Sequence, residues 1–267
     1  MRRVTQTEQP PAFFTERDGE LIPSPAAQSP WSADMLHGRL IGGLAARGVE
    51  RGHVTEGLRV ARVTVDLFRG SPLVPLRVES RTVRDGRRIR VVDVEIASAQ
   101  GAIGRASVVL LRGGGTMPGE VAVVPPLEMP PPAAMNAGPG RLIGWRPPFD
   151  LHWRLGTDGD GDARRVAWTR EIHPLVAGEP VTPLIRAALA ADFASPLSNF
   201  GPEGLYYINA DYTLTLSRPP LGELVGLEVT GRLSEEGVST GVCVVHDESG
   251  PIGHCVVTAL ANPRMGD

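Results

Sequence analysis

Residues 182–218 read TPLIRAALAADFASPLSNFGPEGLYYINADYTLTLSR. Thr182 followed by Pro183 is typical of a helix start, because the hydroxyl can cap the first turn and the fixed φ of proline suits that turn. From Ile208 onward, apolar and polar residues alternate with a period of two, which is typical of a half-covered antiparallel strand. The stretch therefore predicts a short helix followed by a long strand.

Asp192 is an acid on the apolar side of this helix. At about 100° per residue, it falls within roughly 20° of Ile185. The stripe that it joins is formed by Ile185, Leu189 and Phe193. A carboxylate buried there without a partner would cost several kcal/mol or become protonated. Asp192 is therefore either hydrogen-bonded for structural reasons or positioned for chemistry.

The bulk composition excludes several classes of protein. The 267 residues carry a formal net charge of −3, so no nucleic-acid partner is expected. The N-terminus is polar and no apolar run is long enough to cross a membrane, which predicts a cytoplasmic protein with no membrane partner. Cys243 and Cys255 lack metal-ligand spacing, so we expect no metal, no cofactor and no disulfide, and we interpret both as core residues.

An internal repeat indicates the architecture. Residues 100–111 read QGAIGRASVVLL and residues 249–260 read SGPIGHCVVTAL, which places Gly104 and Gly253 149 positions apart. The same offset relates Arg69 to Arg218 in similar segments. Two copies of one unit are expected.

Each copy is predicted to contain one helix and four long strands joined by glycine turns. The predicted strands are 62–69, 73–84, 88–97 and 103–112 in the first copy, and 208–218, 225–234, 239–247 and 252–261 in the second. One helix packed on one antiparallel meander is an α+β layer. The predicted divisions are a polar N-terminal arm (1–30), a first unit (31–112), a Gly/Pro-rich linker (113–148) and a second unit (149–267). The second unit opens with a hairpin whose tip, residues 158–162, is an acidic turn rather than a calcium loop.

The chain resembles the double-hotdog acyl-CoA thioesterases, akin to bacterial acyl-CoA thioesterase II. The resemblance covers about residues 31–263. It is carried by MLHGRLIGGL from Met35, DLFRGSP from Asp66, ALAADF from Ala188, INADYTLTLSRPP from Ile208 and HDESGPIG from His246. It implies a tandem double hotdog, in which two helix-wrapped antiparallel sheets form an intrachain pseudo-dimer.

The resemblance also implies a site in the second unit, where the family holds a water with a helical Asp, a polar residue at the next strand start and a Gln in the last strand. Asp192 matches the first position and Asn209 the second. The Gln position falls near Val257, which cannot orient water, and neighbouring Thr258 is the expected substitute. Strict alternation points Asn209 away from the helix, so a bulge or irregular strand start is needed to turn it inward.

Further polar groups are expected to bind substrate. His37 and Gly38 resemble the HG pair that precedes the helix in many thioesterases, where a helix-end amide can polarise the carbonyl. His37 has an alternative role in capping or packing. Asn199 and Arg218 are expected to contact substrate, with Arg218 near the phosphates of CoA, although Asn199 can equally belong to a turn and Arg218 can be only solvated.

The predicted function is hydrolysis of acyl-CoA or a related acyl thioester, without a covalent intermediate. The first unit has Gly43 where the second has Asp192, so at most one site per chain is expected. The alternative is a catalytically inactive double hotdog that binds acyl-CoA, which Val257 favours. A homodimer is also predicted, because exposed sheet edges are usually covered by pairing.

Overall fold

The computed structural model describes residues 10–115, 117–121, 128–137, 147–156 and 163–262. The predicted acidic turn at 158–162 and parts of the predicted linker at 113–148 lie outside these ranges. Among the helices of the described ranges, none is both long and apolar enough to cross a bilayer.

The first half, within residues 10–115, is a short hairpin followed by one α-helix and four strands. The helix begins after Gly38, within the segment MLHGRLIGGL, and it is buried on all sides from Arg39 to Arg47. The elements are β1 (Phe14–Arg17), β2 (Glu20–Pro23), α1 (Arg39–Gly52), β3 (Leu58–Leu67), β4 (Arg77–Asp85), β5 (Ile89–Ser98) and β6 (Gly101–Arg112).

The second half repeats this plan after an additional hairpin, but its helix is interrupted. Thr182 caps that helix as predicted, since its Oγ1 accepts a hydrogen bond from the Ile185 amide at 3.2 Å. The elements are β7 (Asn136–Ala137), β8 (Phe149–Leu155), β9 (Arg165–Glu171), α2 (Pro183–Ala191), α3 (Ala194–Asn199), β10 (Phe200–Gly201), β11 (Gly204–Leu205), β12 (Tyr207–Leu216), β13 (Leu224–Glu235), β14 (Val238–Asp247) and β15 (Gly250–Ala261). The eight predicted long strands are confirmed, with bounds within four residues of those expected.

The large sheet is antiparallel and continuous, with strand order β4-β5-β6-β3-β12-β15-β14-β13-β9-β8-β7. The two sheets expected from the sequence therefore form one continuous sheet, because β3 and β12 pair edge to edge. Thr64 and Thr213, equivalent residues of the repeat, face each other in this pairing, and their hydroxyl oxygens lie 3.1 Å apart. The pairing is symmetric about them, since Asp66 pairs with Asp211 and Arg62 with Thr215.

The two central helices cross at their small residues on one face of this sheet. A Cβ on Gly42 would lie 1.7 Å from the Tyr212 hydroxyl oxygen, and one on Gly43 would lie 2.7 Å from the Leu189 side chain. Tyr212 is fully buried, and its hydroxyl donates to the Ala188 carbonyl at 2.8 Å. Both cysteines are free thiols, and both are buried in the core as predicted.

The N-terminal segment packs on the body of the protein. Phe13 and Phe14 are fully buried, and their amides donate to the carbonyls of Pro174 and Leu175. The stretch expected to be a polar arm thus contains an apolar anchor that joins the first half to the second. The β1-β2 hairpin also places Glu16 in an ion pair with Arg47 of α1.

The repeated glycines have a structural reason. A Cβ on Gly253 would lie 1.8 Å from the carbonyl oxygen of Thr215, and one on Gly104 would lie 3.0 Å from that of Asp66, the equivalent residue. Neighbouring strands approach too closely for a side chain at these points.

Gly253→Ala is expected to lower the free energy of unfolding by about 1–3 kcal/mol, the usual cost of overpacking. Gly104→Ala should cost less, because its tightest contact, at 2.8 Å, is with the Ile41 side chain. Urea unfolding followed by circular dichroism measures both. Gly113→Ala is the control, since nothing lies within 4 Å of its Cβ position. Equal stability of the Gly253 and Gly113 variants would contradict the explanation.

Candidate functional site

A cavity of about 810 Å³ lies between the two halves of the chain. The first half contributes the start of α1 and the loop after β3, and the second half contributes the end of α2 and the start of β12. Its walls are mainly apolar. They include Trp31, Leu36, Ile41, Phe68, Phe149, Phe193, Phe200 and Ile208. The polar residues that line it include His37 and Arg39 from the first half and Asp192 and Asn209 from the second half.

Asp192 lies where the second central helix is interrupted. It follows the last residue of α2 in a helical conformation, and α3 begins two residues later. Its side chain faces the core as predicted and is only 7% exposed. The break turns the carboxylate into the cavity, whereas α1 continues without interruption past Gly43, the equivalent position.

Asn209 reaches Asp192 because β12 contains a bulge. Asn209 pairs with Ala259 and Asp211 with Thr258, so Ala210 is an extra residue without an opposite partner. Strand alternation requires such a bulge if Asn209 is to face the helix, and the bulge turns the Asn209 side chain towards the cavity. Its Nδ2 donates to Asp192 Oδ1 at 2.8 Å. Among the described residues, no hydrogen bond reaches Asp192 Oδ2.

Opposing effects act on the pKa of the Asp192 carboxyl. Burial raises the pKa of this carboxyl above its ordinary value, while the hydrogen bond from Asn209 and the nearby Arg39 lower it. Burial is the largest effect. An acid of this kind holds its proton to a higher pH than an exposed aspartate and is a stronger base once ionised.

Asn209→Ala is expected to raise the pKa of the Asp192 carboxyl, because the variant removes a donor that stabilises the ionised carboxylate. The pKa of wild-type Asp192 should itself lie above the ordinary aspartate value of 3.8. NMR titration of the side-chain carboxyl carbon measures both. Asn262→Ala, which alters another residue of the same cavity, is the control and should leave the pKa of Asp192 in place. A pKa that is unchanged or lower in the Asn209 variant would contradict this interpretation.

His37 and Gly38 lie at the N-terminus of α1, as predicted, and both line the cavity. Gly38 precedes the first helical residue, so its amide is at the positive end of the helix. Burial, aided by the charge of Arg39, lowers the pKa of His37 to about 3. The imidazole is therefore neutral at neutral pH, and its Nδ1 accepts a hydrogen bond from the Arg39 amide at 3.4 Å. This contact matches the capping role.

Arg39 is a site residue that the sequence does not reveal. It is 2% exposed and forms a bidentate ion pair with Glu171 of β9, with Nη1 3.1 Å from Oε2. Its Nε donates to the Leu189 carbonyl at 3.4 Å, in the last turn of α2. Its guanidinium carbon lies 4.2 Å from the centre of the Phe149 ring. Arg39 thus connects α1 to the turn that carries Asp192.

Three of the predicted site residues are not brought to this cavity. Thr258 lies on the opposite face of the sheet, where its hydroxyl donates to Asp211 Oδ2 at 2.8 Å. Strand alternation explains this, because its neighbour Val257 faces the core and is fully buried. Arg218 forms a bidentate ion pair with Asp247, with Nη2 2.9 Å from Oδ1, and does not line the cavity.

Asn199 also does not line the main cavity. It is buried at the end of α3, where its Nδ2 donates to the Ser195 carbonyl at 3.1 Å. Its Oδ1 accepts from the Ser239 hydroxyl at 2.9 Å and from Arg232 Nε at 3.1 Å. The side chain is therefore engaged in holding its neighbours.

The chain belongs to the acyl-CoA thioesterase family. The C-terminal domain of that family matches residues 123–261, and the N-terminal domain matches residues 27–112. No curated protein matches the chain.

Solved structures share this fold over nearly the whole chain. The tesB protein of Mycobacterium avium subspecies paratuberculosis is 16% identical, with 93% of this chain and 96% of that chain covered and a TM-score of 0.66. A conserved protein of unknown function with hot dog fold from Alicyclobacillus acidocaldarius is 15% identical, covers 94% and 96%, and has a TM-score of 0.69. Acyl-CoA thioesterase II TesB2 of Mycobacterium marinum is 15% identical, covers 84% and 90%, and has a TM-score of 0.63. At these identities the likeness concerns the fold.

Proposed function

We propose that the chain hydrolyses acyl-CoA thioesters to the free acid and CoA, with the attacking water activated at Asp192. The observation that carries the proposal is a buried carboxylate, held by Asn209 through one oxygen, in an apolar cavity beside the N-terminus of α1. Family membership supports thioester hydrolysis in general. The apolar walls suit an acyl chain, since their burial against it removes hydrocarbon from water.

In the proposed reaction, a water bound at Asp192 Oδ2 attacks the thioester carbonyl carbon. Its oxygen forms the new bond to carbon while one of its protons passes to the carboxylate. Asn209 keeps Oδ1 in place through this step. The C–S bond then breaks, the thiolate takes the proton from Asp192, and the carboxyl returns to its ionised state.

The developing oxyanion is stabilised at the start of α1. The amide of His37 already donates to the Ala27 carbonyl at 2.9 Å, so the proposed donor is the amide of Gly38. Oriented amides at a helix N-terminus can stabilise such charge without reorganising. Thr258 is not part of this proposal, because its hydroxyl is held by Asp211.

We further propose that the two halves form an intrachain pseudo-dimer of hotdog units, at 31–112 and 149–267. The symmetric register around Thr64 and Thr213 supports this reading. The matched C-terminal domain of the family begins at residue 123, inside the connection proposed at 113–148. Assembly of the chain into a homodimer stays a prediction.

The competing proposal is a catalytically inactive protein that binds acyl-CoA. It is favoured by Val257, which stands near the family's Gln and lies in the core. The two readings differ in whether a thiol is released.

Thiol release by purified protein from short, medium, long and aromatic acyl-CoAs tests the proposal. Turnover of at least one substrate is expected. No turnover on any of them, together with a rise of the unfolding temperature on adding acyl-CoA, would overturn hydrolysis and support the binding protein.

A further inference from the structure

A second cavity of about 470 Å³ adjoins the first. It opens to solvent between α3, the β10-β11 turn and β13. Phe200, Gly204 and Tyr207 line both cavities, so a ligand seated at Asp192 can extend from one into the other. Two arginines, Arg165 and Arg232, lie in its wall.

Arg165 is fixed in place by backbone carbonyls. Its Nε donates to Leu197 at 2.8 Å, and its Nη2 donates to Phe200 at 2.5 Å. Its Nη1 donates to Leu155 at 3.3 Å. These partners are neutral, and each terminal nitrogen retains a second N–H.

Arg232 of β13 is held by side chains. Its Nε donates to Asn199 Oδ1 at 3.1 Å, and its Nη1 donates to the Ser234 hydroxyl at 3.0 Å. Its guanidinium carbon lies 5.4 Å from the centre of the Tyr207 ring. Arg232 is an exposed residue, and its bond to the buried Asn199 anchors the guanidinium at the cavity.

The two charges are not neutralised by the protein. Within the described part of the chain, neither Arg165 nor Arg232 forms an ion pair, and Glu203, which also lines the cavity, is exposed and pairs with neither. Burial first, and the charge of Arg232 second, lower the pKa of Arg165. Two preorganised guanidinium groups with spare N–H donors are suited to a phosphate.

We propose that Arg165 and Arg232 bind a phosphate of the carrier that presents the acyl thioester, a group shared by CoA and by protein-bound phosphopantetheine. This inference rests on the proposed function, since it names the part of the substrate that lies beyond the reacting carbonyl. The fatty acyl chain then occupies the first cavity, and the pantetheine arm passes Tyr207.

Calorimetric titration with CoA, 4′-phosphopantetheine and pantetheine tests the site without requiring turnover. Arg232→Gln should weaken binding of at least one phosphorylated probe by about 10-fold or more, the loss of a charged hydrogen-bond pair. It should not change binding of pantetheine, which has no phosphate. Arg232→Lys keeps the charge but loses the bidentate geometry of the guanidinium. Its affinity for the phosphorylated probes should lie between those of wild type and Arg232→Gln.

The pattern across probes identifies the source of the phosphate. Equal losses for CoA and 4′-phosphopantetheine indicate the phosphate that CoA and carrier proteins share. A loss confined to CoA indicates one of its additional phosphates. Arg59→Gln, an exposed arginine on β3 that lines neither cavity, is the charge-matched control and should bind all three probes as wild type does.

Unchanged affinity of Arg232→Gln for both phosphorylated probes, with an unchanged unfolding temperature, would overturn the inference. A loss shared by Arg59→Gln would also overturn it, because the effect would then be one of net charge alone. Asp192→Asn should bind CoA as wild type does. An Arg232-dependent CoA affinity in a protein that releases no thiol would therefore leave this site standing while the proposed hydrolysis fails.

Discussion

Asp192→Asn is expected to lower kcat/KM for thioester hydrolysis by about 10²–10⁴-fold, the range usual for a positioned general base. The amide has nearly the shape of the carboxyl but cannot take a proton from water. The change should act mainly on kcat, because the apolar walls of the cavity, where we propose that the acyl chain binds, are untouched. Thiol release under steady-state conditions measures both constants.

The same variant should not lose stability. Since burial raises the pKa of Asp192, the fold favours its neutral form, and the stability that this carboxyl contributes at low pH is lost as pH rises through its folded pKa. A neutral Asn at pH 7 should therefore give an unfolding temperature equal to or above that of wild type.

Asp211→Asn is the matched control for the activity measurement, because Asp211 lies on β12, the strand that carries Asn209, but does not line the cavity. Because Asp211 contacts Thr258 rather than the cavity, its variant should retain activity within a few-fold of wild type. Similar losses in both variants, or full activity of Asp192→Asn, would remove Asp192 from the reaction.

Arg39→Met is expected to lower the free energy of unfolding by about 3–5 kcal/mol, the usual cost of breaking a buried ion pair. The substitution leaves Glu171, whose side chain is 3% exposed, without its partner and removes the bond to the Leu189 carbonyl. This is a large part of the roughly 5–15 kcal/mol typical of a folded domain. Denaturant unfolding at pH 7 measures the loss.

The double variant Arg39→Met, Glu171→Leu should recover part of this stability, because it no longer leaves a buried charge unpaired. Arg81→Met is the surface control. Its partner Asp93 lies 2.9 Å away, but the two side chains are 76% and 41% exposed, so the expected cost is at most about 1 kcal/mol. A similar small cost for Arg39→Met would show that the buried pair contributes little.

Local sequence patterns predict the helix cap, the long strands and the burial of Asp192. These features depend on residues within one or two turns, such as Thr182 and Pro183. The repeat extends the prediction to tertiary structure, since Gly104 and Gly253 meet equivalent carbonyls in the two halves. Alternation also identified the need for a bulge beside Asn209.

Contacts between distant segments could not be predicted in this way. Arg39 and Glu171 are 132 positions apart, and nothing in the composition around either one indicates the other. The edge-to-edge pairing of β3 with β12 joins two strands that are separated by the rest of the first meander, the connection, the β8-β9 hairpin and the second central helix. Phe13 and Phe14 lie in a polar stretch, so their anchoring role follows from the partner surface rather than from local pattern.

The contacts that engage Thr258, Arg218 and Asn199 away from the main cavity are also contacts between distant segments. Residue type and spacing indicated that each side chain could bind substrate or activate water. They did not indicate which group of the protein each side chain would contact. In the folded chain, Asp211 holds Thr258 and Asp247 holds Arg218. Asn199 holds Arg232 instead of contacting the main cavity. No single sequence motif predicts the second cavity, which Arg165 and Arg232 line.

A single turnover in ¹⁸O-labelled water tests water activation by Asp192 most directly. Enzyme in excess over an acyl-CoA is quenched after one turnover, and both the free acid and the peptide containing Asp192 are examined by mass spectrometry. The predicted result is ¹⁸O in the released acid and none in the peptide, because water attacks the carbonyl without a covalent intermediate. Label in the Asp192 peptide, or the absence of released acid, would contradict this account.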